Sequence, residues 1–154
     1  MLAKDIMKTD VCSISRHTPI KEIAEIMAKT DISGLPVVDE TYDNNVVGVV
    51  SELDLMRKEI QPNKPSVWKV ALWGLSNSKK LDEHIDAIRK CEATTAESLM
   101  TSPAITVDEL DDVETVGQLI FEKKIKRVFV TRYGKLVGVI SRSAFVKKLL
   151  ASME

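Results

Sequence analysis

Val47-Gly48-Val49-Val50-Ser51 returns later in the chain as Val137-Gly138-Val139-Ile140-Ser141. Each copy is an apolar run that stops at a serine, with helical spacing after it. Working outward, Ile32-Ser33-Gly34-Leu35-Pro36-Val37-Val38 has its counterpart in Ile125-Lys126-Arg127-Val128-Phe129-Val130-Thr131. Further upstream, Asp5-Ile6-Met7-Lys8-Thr9 matches Ser98-Leu99-Met100-Thr101-Ser102. Three matched blocks in one order define a duplicated unit, and duplication governs the fold reading. Two such copies pack around a shared cleft. Differences between the copies then mark which half of the cleft keeps its chemistry.

Within copy one, Val11 to Ser15 reads as extended, and Pro19-Ile20 opens a helix, where proline suits the first turn. Ile20, Ile23, Ala24 and Met27 recur at helical spacing and predict one apolar stripe. Asp31 to Gly34 breaks that helix. Leu35 to Val38 is a strand, and Asp39 to Asn45 a polar turn. Val46 to Val50 is a second strand, expected to be buried on both faces because it is continuous in valine. Ser51 to Lys58 closes the copy as a helix. Copy two repeats the plan: Ile105 to Val107 is extended, and Val113, Val116, Gly117 and Ile120 form a stripe. Two strands then flank a Tyr133-Gly134 turn, and Ser141 to Ala151 is the last helix. The order β-α-β-β-α in each copy implies an α/β fold, two small units packed as one module. The expected boundaries are 1–58 for the first repeat, 59–95 for a helical insert and 96–154 for the second repeat.

The insert has no counterpart. Pro62 and Pro65 end the helix before it. Ser66 then caps a helix whose face is Val67, Trp68, Ala71, Leu72 and Leu75, and a second helix carries Leu81, Ile85 and Ile88. Apolar residues at helical spacing point to packing, in the same chain or across a subunit contact. A docking surface for another protein is the alternative.

With 154 residues the chain can bury a core without disulfide staples. A net charge of −1 gives no general case for nucleic acid or an anionic membrane surface. Cys12 and Cys91 have no short metal or redox spacing, which fits a reducing, cytoplasmic setting. No stretch approaches the roughly 18 apolar residues of a membrane span, and the first residues do not read as a signal peptide.

The repeats resemble a tandem pair of cystathionine-β-synthase (CBS) domains, over Asp5 to about Arg57 and Ala96 to about Leu149. The specific match is Gly48-Val49-Val50-Ser51-Glu52-Leu53-Asp54: glycine, two apolar residues, Ser/Thr, two variable residues and aspartate. The second copy, Gly138 to Ala144, departs at the last position. The resemblance implies a regulatory module without catalysis or a required cofactor, dimerising through its repeat helices.

Ser51-x-x-Asp54 also reads as a helix-capping box, with Ser51 as N-cap. The same geometry suits a nucleotide. Helix N-termini favour anions, a serine hydroxyl can meet a phosphate oxygen, and a carboxylate one turn on can accept a ribose diol. In the resembled family that aspartate contacts ribose and that serine lies near phosphate, so these roles fall to Asp54 and Ser51. Lys126 and Arg127, before the central strand of copy two, would supply phosphate charge; a solvated turn is the other reading. Ser141 and Ser143 could add hydroxyls. Ser13-Ile14 and Gly34-Leu35-Pro36 are expected to wall the base. Ala144 cannot accept a diol, so one competent site per chain is expected.

No nucleophile elbow, phosphate-binding glycine loop or metal spacing supports catalysis. The leading expectation is a sensor of AMP, ADP or ATP that acts as a homodimer on an effector protein in trans. A dimerisation scaffold with a vestigial cleft is one rival. Binding of S-adenosylmethionine or nucleic acid is another.

Overall fold

The computed structural model describes residues 1–60 and 95–153. The insert helices expected from Ser66 onward lie outside them. The first half contains β1 (Ile14–Ser15), α1 (Ile20–Thr30), β2 (Gly34–Asp39), β3 (Asn45–Ser51) and α2 (Glu52–Ile60). In the second, a single helical turn, α3 (Ala96–Leu99), precedes β4 (Thr106–Asp108), α4 (Val113–Glu122), β5 (Arg127–Arg132), β6 (Lys135–Ser141) and α5 (Arg142–Met153). The β-α-β-β-α order therefore holds in both copies. A 3₁₀ turn, Ala3–Asp5, stands before the first copy as α3 stands before the second.

The six strands of the described residues form one sheet in the order β1-β2-β3-β6-β5-β4, which reads alike from either edge. The outer pairs are parallel and the inner hairpins antiparallel. The halves join at the hairpin tips, where Asn45 pairs with Lys135 and the Val46 N–H donates to the Gly134 carbonyl at 3.1 Å. Tyr133 and Gly134 turn the second hairpin with φ of 51° and 82°, the positive pair that two-residue hairpins use. Each hairpin carries a register shift: Val47 is the extra residue before Gly48, and Val137 before Gly138. A bulge of this kind bends and twists a strand.

Burial differs from the sequence reading in two places. Both faces of β2 and the middle of β5 are buried, whereas in β3 only Gly48 and Val50 are. Val50 enters the core, and Val49 faces the space between the halves. Continuous valine here marks one core face and one cleft face. On α1, Ile23 and Met27 reach the core with Ile26 beside them, while Ala24 is exposed.

Two cores result, one per half. Ile23, Leu35, Val37 and Val50 centre the first; Val116, Val128, Val130 and Ile140 centre the second. Each is completed by the other copy's leading segment. Ala3, Ile6 and Met7 pack into the second core, and Ala96, Leu99 and Met100 into the first. Backbone bonds fix the exchange. Lys8 bridges Val139 of β6, and Thr101 bridges Val49 of β3, each through a reciprocal pair of hydrogen bonds of 2.9–3.1 Å. The exchange holds the halves face to face and sets the clefts between them.

Candidate functional site

Ser51 ends β3 and leads into α2, so the apolar strand delivers the serine and the helix start to the boundary between halves. The Ser51 N–H donates to Asp54 Oδ2 at 2.8 Å, and the Ser51 hydroxyl meets the same oxygen at 3.0 Å. The Asp54 N–H donates back to Ser51 Oγ at 3.4 Å. The capping box is thus made. Among the described residues Oδ1 has no hydrogen bond, so the cap orients the carboxylate while leaving one oxygen available. In the second copy the Ala144 N–H donates to Ser141 Oγ at 3.2 Å, the same cap without its acid.

Asp54 and Ser51 open onto a cleft of about 190 Å³. Val49 of β3 lines it beside them, and the rest of the wall comes from the second copy: Thr101, Pro103, Ala104 and Ile105 of the exchanged segment, then Ile125, Arg127 and Phe129. A second cleft, about 240 Å³, mirrors it with Ser141 and Val139 facing Lys8, Asp10, Cys12, Ile32, Gly34 and Pro36. A shallow basin at the head of α5 gathers Lys126, Arg142, Ser143 and Lys147 with Ser141. Arg127 reaches all three. Its guanidinium donates to Ser33 Oγ at 3.0 Å and more weakly to the Gly34 carbonyl at 3.4 Å, tying β5 to the start of β2.

The structure brings Ser51, Asp54 and Arg127 together. Lys126 and Ser143 belong to the basin, and Ser141 to the second cleft and the basin. The expected base walls do not reach the Asp54 cleft. Gly34 and Pro36 line the Ser141 cleft, Ile14 and Leu35 are buried in the first core, and Ser13 is exposed outside these cavities. The reason is the crossing of the copies: each motif faces the other copy's central strand. In the repeat alignment Arg127 and Phe129 stand where Gly34 and Pro36 stand in copy one. Phe129, Ile125 and the Thr101–Ile105 wall escape a reading made one copy at a time; carrying the wall positions across the duplication finds Phe129.

A duplicated α/β unit with exchanged leading segments and a serine-to-helix turn facing each inter-copy cleft defines the class. The CBS domain family model matches residues 3–60 and 96–151. The chain belongs to that family and carries the domain twice. It is similar to two Arabidopsis thaliana proteins, the chloroplastic CBS domain-containing proteins CBSX1 and CBSX2, at 28% and 27% identity over 93% and 89% of its length. It spans about three fifths of their length, 61% and 58%. The crystal structure of CBSX2 in complex with AMP superposes with a TM-score of 0.71 at 26% identity, covering 97% of each chain.

Proposed function

We propose that this CBS pair is a regulatory module that binds an adenosine nucleotide in the Asp54 cleft. The observation that carries the reading is the convergence of three groups from two copies: a capped, half-buried carboxylate, a serine at a helix N-terminus and an arginine. They suit a ribose diol, a phosphate oxygen and phosphate charge in turn. The AMP complex of CBSX2 supports a ligand of this class. The asymmetry between Asp54 and Ala144 favours one competent site per chain.

Signalling follows from Arg127. Its guanidinium is bonded to Ser33 and Gly34 across the halves. A phosphate in the Asp54 cleft competes for the same donors, so occupancy loosens one inter-half tie and makes another. A dimer gives that shift an output. Leu53 and Met56 on α2, with Leu149, Leu150 and Met153 on α5, leave apolar surface exposed for a second copy.

The scaffold reading draws on the completed capping box, which explains Ser51 and Asp54 without any ligand. A thermal-shift comparison of AMP, ADP, ATP, adenosine and S-adenosylmethionine on ligand-stripped protein separates the two. The nucleotide reading expects stabilisation by the phosphorylated adenosines above adenosine. A flat response to all five supports the scaffold.

A further inference from the structure

The two halves match closely in backbone where the exchanged segments dock. The Ala3 and Lys4 N–H groups donate to the Asp111 and Glu109 carbonyls at 2.8 and 3.0 Å. Ala96 and Glu97 donate in the same way to Thr18 and Arg16 at 2.9 and 3.0 Å. The apolar contacts match too, with Ala3 and Met7 in one core as Ala96 and Met100 are in the other. Nothing in these features tells one docking surface from the other.

Charge does. In the first half Arg16 is central, bonded to Asp39 at 2.6 Å and to Glu97 of the docked segment at 2.6 Å. The equivalent centre of the second half is Glu109, which accepts from Arg132 Nη2 at 2.7 Å and has Lys4 of the docked segment beside it. The strand registers make Arg16 equivalent to Glu109 and Asp39 to Arg132. All three positions are reversed in sign between the halves.

We infer that this reversal selects which leading segment docks on which half. With the segments interchanged, Lys4 would lie against Arg16 and Glu97 against Glu109, like charge on like charge at both surfaces. Native docking joins Glu97 to Arg16 in an ion pair and sets Lys4, tied through its backbone to Glu109, close enough for its charge to favour that carboxylate. Glu109 is almost buried, at 11% side-chain exposure, and Arg16, at 33%, is held against the nearly buried Asp39, so screening by salt is incomplete at both centres. Repulsion against the wrong arrangement is a general route to specificity where attractive contacts are shared.

Disulfide trapping in the full chain tests this, in a Cys12→Ser, Cys91→Ser background. Lys8→Cys with Val139→Cys, a backbone-bridged pair, reports the native docking; Lys8→Cys with Val49→Cys, the equivalent position of copy one, reports docking on the segment's own half. Each pair is equilibrated in a glutathione buffer with native charges, with Lys4→Glu plus Glu97→Lys, and with a neutral Lys4→Gln, Glu97→Gln control. The charge swap should lower the 8–139 disulfide and raise the 8–49 disulfide above the neutral control, each by about tenfold. Adding Arg16→Glu, Asp39→Arg, Glu109→Arg and Arg132→Asp to the swap should restore the native preference. An unchanged preference overturns the inference. So does loss of the 8–139 disulfide without a gain at 8–49, because the swap would then have weakened docking without redirecting it.

Discussion

Met100 occupies the space that a side chain on Gly48 would need. A Cβ on Gly48 would stand 2.5 Å from the Met100 sulfur, 2.9 Å from its Cγ and 3.0 Å from the Thr101 carbonyl oxygen. Met7 bears the same relation to Gly138. The glycine of each repeated motif is thus a receiving surface for the methionine of the other copy's leading segment. Because the Thr101 oxygen belongs to the backbone pair with Val49, rotation of the methionine alone cannot clear the clash. Gly48→Ala and Gly138→Ala should each destabilise the protein by about 1–3 kcal/mol, the usual cost of overpacking. Urea denaturation measures this, and Met100→Ala should recover part of the Gly48→Ala loss.

Arg127 gives a prediction in two directions. Its removal, Arg127→Ala, should erase most of the preference for AMP over adenosine, roughly a ten- to hundredfold loss for AMP, as expected for hydrogen bonds to a charged group. Ser33→Ala frees the guanidinium from its present acceptor and should raise AMP affinity by roughly two- to tenfold. Competition binding with AMP and adenosine reads both variants. The AMP preference of the unaltered chain should shrink as salt is added.

Acid stability should depend on the two ion clusters. Hydrogen bonding by Thr41 and Arg16 holds the Asp39 carboxyl below its ordinary range, against an opposing effect of burial. Arg132 does the same for Glu109. For a carboxyl depressed in the folded state, the stabilisation is complete above the unfolded pKa, about 4. It is lost as pH falls through the lower folded value. Stability should therefore drop progressively below about pH 4. Asp39→Asn with Glu109→Gln should flatten that fall in urea titrations across the range.

The apolar residues left exposed on α2 and α5 predict self-association. Leu53→Asp with Leu150→Asp should shift the protein toward monomer in sedimentation velocity while far-ultraviolet circular dichroism stays unchanged. A dimer that survives both substitutions would place the contact elsewhere.

Much of the fold is legible in the repeats, because Val-Gly-Val-(Val/Ile)-Ser fixes a strand, a bulge site and a helix start in each copy. Burial is less so. Val46 to Val50 looks like a doubly buried strand, yet one of its faces borders the cleft, and only the position of the other copy decides that. The same blind spot misplaces the base walls. Gly34 and Pro36 sit in the right segment of the wrong copy for Asp54, since the copies face each other across the clefts. That Ser51, Asp54 and Arg127 share one cleft is readable from the repeat motif and the resemblance it carries; that Phe129 and Ile105 line it is not, because an apolar side chain lining a cleft carries the same signal as one in a core.

The measurement that tests the central claim most directly is titration calorimetry of AMP on the unaltered chain, Asp54→Ala and Ala144→Ser. The claim predicts that Asp54→Ala lowers AMP affinity by roughly ten- to hundredfold, while Ala144→Ser leaves it unchanged. Equal AMP affinity in the unaltered chain and Asp54→Ala, with both folded, would contradict it and leave Asp54 as a helix cap alone.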